Sequence, residues 1–159
     1  MSELCAVVTF AKTQRATRRG PPVNDLPIGR RRASASSMTK LTSFRELLVW
    51  QKAMNAEHCY RLSRAFGRDD QAVLGFEIRK SCVSIPSNIA EGFGRHYTAA
   101  YVNHLWIANG SSNELQTQVA IGHRVGIVSE VEAASIIADA EEVGRMLTGL
   151  VRSLERTTR

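Results

Sequence analysis

Between Leu74 and Phe93, apolar side chains recur as Leu74, Ile78, Cys82, Ile85, Ile89 and Phe93, at spacings of four, four, three, four and four. Such spacing is one face of an α-helix. A second face carries Ser84, Asn88, Glu91 and Arg95. A third edge, Ser87, Ala90 and Gly94, is small enough for a neighbouring backbone to come close. Pro86 lies inside the pattern, where it removes one backbone donor and crowds the carbonyl of Cys82, at a cost of roughly 3 kcal/mol. The helix is therefore expected to bend at that turn. Either it is a bent core helix, or the bend holds the polar face of Ser84, Asn88 and Glu91 in a particular shape.

Three more stretches share the helical period. The first opens at Thr42 or Ser43, either of which can cap, and runs to about Phe66 before Gly67. Leu48, Val49, Ala53, Ala56, Cys59, Tyr60 and Phe66 make its broad face. Leu47, Trp50 and Met54 form a second stripe, which either widens the core face or meets another subunit. Asp69 or Asp70 is expected to cap the Pro86 helix. The third helix starts near Thr98 and reaches Gly122, with Tyr101, Leu105, Ala108, Ser112, Leu115, Val119 and Gly122 stepping by four and three. That is a bundle seam. Glu114 is its one acid, so the helix is expected to be covered on more than one side, with Trp106 off the seam at a subunit contact. Gly110 in mid-helix suggests close packing on another helix. Ser129 and Glu132 form a capping box for a fourth helix. Its seam is Ala133, Ile136, Ala140, Val143, Leu147, Leu150 and Leu154, and charges occupy its other side.

Nothing alternates with period two, so the fold class is all-α: an up-down-up-down four-helix bundle over residues 41–159. Residues 1–40 read as a disordered basic tail. They hold eight bases and two acids, which leaves residues 41–159 with thirteen of each. The pI of about 9.7 thus belongs to the tail and is no argument for nucleic-acid binding by the bundle. The tail could be an RNA-binding arm or a leader. The favoured expectation is that translation begins at Met38. Three cysteines (Cys5, Cys59, Cys82) without paired spacing suit a reduced, cytoplasmic protein. No apolar run approaches the ~18 residues of a membrane span, so no membrane partner is expected.

Chemistry-bearing motifs are missing. No Glu is followed three residues later by His, so the di-metal pattern of helical bundles is absent. The cysteines lie too far apart for a zinc site, and there is no phosphate loop, dinucleotide fingerprint or nucleophile elbow. The expectation is a non-enzyme with no catalytic residues, no metal and no cofactor.

Three blocks bear a resemblance: Phe44–Met54 (FRELLVWQKAM), Ile78–Arg95 (IRKSCVSIPSNIAEGFGR) and Gly110–Gln118 (GSSNELQTQ). Together they resemble the bacterial family of 23S rRNA intervening-sequence proteins, whose relatives include the accessory proteins of diversity-generating retroelements. The resemblance covers about Leu41 to Arg156, and marks Ser84, Pro86, Ser87, Asn88 and Glu91 as the family's polar face. Apolar surface left over on the first and third helices points to a homo-oligomer with Leu47, Trp50, Met54 and Trp106 as the candidate interface, and the resemblance implies that it is a ring-shaped homopentamer. The resemblance also makes RNA, or a reverse transcriptase-like protein, a candidate partner. Contacts to nucleic acid would come from Arg61, Arg64, Arg68, Arg79, Lys80, Arg95 and His96, repeated around the ring. The alternative is a protein-binding scaffold with no nucleic-acid role.

Overall fold

The structure is a computed structural model that describes residues 41–157. The expected tail and the Met38 start lie outside the described residues. Among the described residues every regular element is helical. The chain forms α1 (Leu48–Ala53), α2 (Ala56–Ser63), α3 (Arg68–Asp70), a π-helical segment (Gln71–Gly75), α4 (Phe76–Phe93), α5 (Thr98–Arg124) and α6 (Glu130–Thr157). A 3-10 turn, Phe44–Glu46, precedes α1. These make four antiparallel rods: α1 with α2, α3 with α4, then α5 and α6. Neighbours pack in a square, with α4 on α5, α5 on α6, and the first rod lying between α4 and α6. The four-helix bundle of the sequence reading is what forms.

The first rod differs in detail from the single expected helix. Ser43 does cap, its hydroxyl accepting from the Arg45 N–H at 3.2 Å. Leu47 has extended backbone and is the residue before α1, so it leaves the helical wheel and drops into the core at 3% exposure. The turn at Met54–Asn55 tightens to three-residue hydrogen bonds, Asn55 N–H to Lys52 and Glu57 N–H to Met54, both 3.0 Å. This shifts the phase, so Tyr60 turns outward while Ser63 is buried. Lys52 spans from this rod to α6, 2.8 Å from Asp139 and 2.7 Å from Glu142. Hydrogen bonds to those two carboxylates hold its ammonium above the ordinary lysine value.

The second rod starts at Gly67, not at an aspartate cap. Asp69 and Asp70 sit in the first turn of α3, where a helix N-terminus favours negative charge. α4 runs through Pro86 without a break. Ile78, Cys82, Ile85 and Ile89 are buried as the spacing requires. α5 buries its whole expected seam and adds Ser111. Ser112 donates to the carbonyl of Ala140 on α6 at 2.9 Å. In α6 the buried step falls on Val151, with Leu150 only packed against it. The capping box forms: Ser129 accepts from the Glu132 N–H at 3.3 Å, and Glu132 Oε2 accepts from the Ser129 hydroxyl at 2.6 Å. Gly126, at φ 80°, supplies the left-handed residue of the turn before it. No helix among the described residues is long and apolar enough to cross a membrane.

Two glycines make opposite predictions. A Cβ on Gly92 would lie 2.7 Å from Tyr101 Cδ2 and 2.9 Å from His104 Cβ, whereas one on Gly149 meets nothing within 4 Å. Gly92→Ala is expected to cost about 1–3 kcal/mol, and Gly149→Ala to add up to ~1 kcal/mol, read from urea midpoints. The capping box gives a pH signature. Hydrogen bonds from Ser129 hold the Glu132 carboxyl below the usual carboxylate range, so its contribution is present at neutral pH and lost as pH falls through that depressed value. Glu132→Gln is therefore expected to lower the midpoint at pH 7, with the deficit closing in strongly acidic buffer.

Candidate functional site

Where α4 meets α5, the contact is polar along much of its length. Ser84 and Ser111 share a hydrogen bond of 2.8 Å between hydroxyls. Asn88 donates through Nδ2 to the Ser84 carbonyl at 2.9 Å and to its hydroxyl at 3.1 Å. The Asn88 Oδ1 lies 3.2 Å from His104 Nδ1. Arg95 Nε donates to His104 Nε2 at 3.2 Å, and its Nη2 bonds Glu91. Because Nε2 must accept from the guanidinium, the neutral imidazole carries its proton on Nδ1 and donates it to Asn88. The result is one directed chain, Arg95 to His104 to Asn88 to Ser84, ending at Ser111.

Gly92 makes this possible, since its missing side chain lets Tyr101 and His104 close on α4. His104, Ser111 and Gln118 are seven residues apart, so they share one edge of α5. Further down that seam Ser81 Oγ and Gln118 Oε1 are buried without a hydrogen-bond partner, as is the Tyr101 hydroxyl. Burial pushes the Tyr101 phenol well above its ordinary value. Ser84, Asn88 and Glu91 are thus brought together as expected, while Ser87 of the same motif is exposed on the outer side and half-buried Pro86 is on neither. The spacing of His104 from Ser111 was the signal for the other half of the seam, hidden because serine in a helix reads as neutral.

The chain of contacts does not have the order of a hydrolytic triad. The Ser84 hydroxyl touches Ser111 and Asn88, and neither ring nitrogen of His104 is bonded to it. A nucleophile needs its base within hydrogen-bond reach. Among the described residues no group of three His, Cys, Asp or Glu side chains is placed to hold a metal ion.

The basic residues divide between the two ends of the bundle. Arg61, Arg64, Arg68 and Lys80 lie toward the end where the first and second rods join. Arg95 and His96 follow α4, whose eighteen residues span about 27 Å. Arg61 pairs with Glu57 on its own helix, and Lys80 with Glu77 at 3.4 Å. Arg64 and Arg68 are exposed without a carboxylate partner. Arg79 has a different role from the phosphate contact expected of it. Its guanidinium reaches the Ser63 carbonyl at 3.5 Å, the Ser63 hydroxyl at 3.4 Å and the Gln71 carbonyl at 3.3 Å. Gln71 in turn donates to the Arg64 carbonyl. These two side chains satisfy carbonyls that the end of α2 leaves open, so Arg79 is spent inside the subunit.

The candidate interface residues divide too. Leu47 belongs to the subunit's own core, which corrects its assignment to a contact surface. Trp50 is half-buried, its ring edge-on to Phe44 at 5.2 Å. Met54 and Trp106 are exposed, at 40% and 46%. Around Trp106 the outward face of α5 presents Ala99, Asn103, Ile107, Gly110, Asn113, Thr117 and Ile121, with Glu114 as the one acid exposed among them. Gly110 has nothing within 4 Å, so the close packing expected of it does not occur within one subunit. Beside it α4 exposes Phe76 and Val83, both more than half open. The outward face of α6 is the opposite, with Glu141, Glu142, Arg145, Arg152, Glu155 and Arg156 all exposed.

Residues 45–149 match the family model of the 23S rRNA-intervening sequence protein. The chain belongs to that family. Among solved structures, it is similar to a protein of unknown function from the S23 ribosomal protein family of Bacteroides thetaiotaomicron. That likeness has a TM-score of 0.59 and 23% identity, over 66% of this chain and 99% of the other, and shows the fold. No curated protein matches the chain.

Asn88 is the middle member of the seam, donating to one helix turn and accepting from another helix. Asn88→Ala is expected to cost about 1–3 kcal/mol, because it strands both His104 and Ser84. A double-mutant cycle with His104→Ala should give a coupling of at least ~0.5 kcal/mol in denaturant unfolding. Additive losses would mean the two side chains do not act as one network.

Proposed function

We propose that this member of the 23S rRNA-intervening sequence protein family works by binding, not catalysis, as a self-associated bundle that holds structured RNA. The observation that carries the proposal is the outward face of α5, where Trp106, Ile107 and Ile121 are exposed and Glu114 is the one acid among them. A third helix that shows solvent a tryptophan, an isoleucine and a bare glycine, while α6 is dressed in charge, is suited to a second copy. Gly110 would let the neighbouring backbone approach there, which gives mid-helix glycine a use the single subunit does not provide. The seam of Ser84, Asn88 and His104 behind it acts as support for that face and not as a reaction centre.

Symmetry then does for charge what one subunit does not. Arg61, Arg64 and Arg68 project at one end of each bundle, and a ring would repeat them around its rim. Arg64 and Arg68, with no carboxylate within 4 Å, are the residues best suited to phosphate. Each phosphate neutralised adds a salt-dependent increment to affinity. A homopentamer is the assembly this reading adopts, with the cytoplasm as its place of action.

A second reading, a scaffold for another protein, is favoured by one observation. From Glu57 to Lys80, together with the turn from Arg124 to Glu132, this end of the bundle carries six bases and six acids. A balanced surface steers nucleic acid weakly.

Trp106→Glu is expected to convert the assembly to folded monomers in light scattering. An unchanged mass would remove the α5 face from the interface. The triple change of Arg61, Arg64 and Arg68 to Glu should leave the mass unchanged, weaken binding of a structured RNA at least tenfold and flatten its salt dependence. Equal affinity in the triple variant, with one protein partner recovered stoichiometrically after nuclease treatment, would favour the scaffold.

A further inference from the structure

His104 is held on three sides near the loop end of the α4–α5 seam, with 14% of its side chain open to solvent. Its Nδ1 lies 3.2 Å from Asn88 Oδ1, Arg95 Nε donates to its Nε2 at 3.2 Å, and Glu91 Oε1 stands 3.6 Å from that same Nε2. Glu91 Oε1 is also the atom that Arg95 Nη2 bonds. Three groups therefore share one corner: a nitrogen that accepts, a guanidinium that donates twice, and a carboxylate oxygen near both. In the first instance such a cluster is the wet edge of a helix contact, where exposed ion pairs contribute little. Its distinction is Nε2, an acceptor that becomes a donor when the ring takes up a proton.

The neutral ring already has its hydrogen on Nδ1, committed to Asn88, so a second proton enters at Nε2. The bond to Asn88, and the string beyond it to Ser84 and Ser111, stays as it is. At Nε2 two donors then face one another, and the imidazolium charge repels the guanidinium. The Glu91 carboxylate is the acceptor at hand, and a short rotation closes its 3.6 Å to a charge-assisted bond. Glu91 thereby exchanges Arg95 for His104. From α4, Glu91 and Arg95 are the charges that face the ring. Apart from His104, α5 carries no titratable side chain from Thr98 to Asn113 but Tyr101, and Glu114 is ten residues on, about 15 Å along the axis. α6 meets α5 on its other edge, at Asn109 and Ser112, and keeps Arg145 and Arg152 on its outward face.

We propose that His104 is a proton-operated latch on Arg95: neutral, it keeps the guanidinium folded against α4 with Glu91; protonated, it takes Glu91 for itself and releases Arg95 into the α4–α5 loop as a phosphate-binding cation. The released arginine stands next to His96 and Tyr97, both exposed, the tyrosine at 79%. Cations beside an open aromatic ring suit the phosphates and bases of an RNA strand. Histidine is the side chain whose charge ordinarily changes between about pH 5 and 8, a range in which ordinary carboxylates and arginines keep theirs. Parting Arg95 from Glu91 costs little, because the two side chains are 48% and 53% exposed. The RNA consequence rests on the function proposed above, whereas the exchange of partners does not.

The test is a titration of the full chain across that pH range by nuclear magnetic resonance. It follows the ring nitrogens of His104 and the Nε–H of Arg95, assigned through His104→Gln and Arg95→Ala. At the alkaline end the expected result is the Nδ1–H tautomer of His104, with the Arg95 Nε–H protected from exchange with water. On acidification the Arg95 signal should move to the position of a free arginine, with the same midpoint as His104. Arg95→Ala should raise that midpoint, by removing a donor to the neutral ring and a repelling cation. Glu91→Gln should lower it, by removing the carboxylate that receives the new bond. In filter binding, Arg95→Ala should weaken a stem–loop RNA at the acid end of the range and much less at the alkaline end, His96 being intact in both. The Nε2–H tautomer at the alkaline end, an Arg95 signal indifferent to the titration of His104, or a midpoint that neither substitution moves would overturn the latch. An equal loss of RNA affinity at both ends would overturn the release of Arg95. A stem–loop RNA that binds at neither end would overturn the RNA reading alone, since the resonances do not depend on it.

Discussion

The bundle is organised by how closely α4 and α5 approach, and that approach depends on an absent side chain. At Gly92 any Cβ would collide with Tyr101 and with the backbone end of His104. With hydrogen there instead, His104 reaches Asn88 and a string of hydrogen bonds runs down the interface. Polar groups buried between helices stabilise only when each finds its partner. The string from Arg95 to Ser111 meets that condition, whereas Ser81 and Gln118 further along, and the hydroxyl of Tyr101 beside Gly92, do not.

Most of the architecture was legible because it is periodic. The spacing of α5 and α6 puts the right side chains inside almost without exception, since long amphipathic helices average over local irregularity. The first rod was less legible. Leu47 was assigned to a surface stripe because a helical wheel assumes unbroken helix, and the chain there is extended. Tyr60 turned out, and Ser63 in, because the tightened turn at Met54–Asn55 resets the phase. The aspartates in the first turn of α3 resemble caps by type, yet Gly67 holds the cap position.

The site was legible from one side only. Ser84, Asn88 and Glu91 stood out as a polar face on a bent helix, but a face has no meaning until its opposite number is known. His104 and Ser111 belong to a different stretch and carry no motif that a hydrogen-bonded pair would need. Arg79 shows the converse error. Beside Lys80 it reads as surface charge, yet its guanidinium reaches back to Ser63 at the end of α2 and to the Gln71 carbonyl. Charge type is visible in a sequence, whereas the partner that consumes it is a property of the fold.

Ser111 and Ser112 are adjacent, but the first bonds sideways to Ser84 on α4 and the second to the Ala140 carbonyl on α6. The two bonds key the third rod to both neighbours at the same level, as a spline keys a shaft. It cannot roll about its own axis without breaking them together. The azimuth of its outward face, and hence the bearing of Trp106, is set from the interior by two hydroxyl groups.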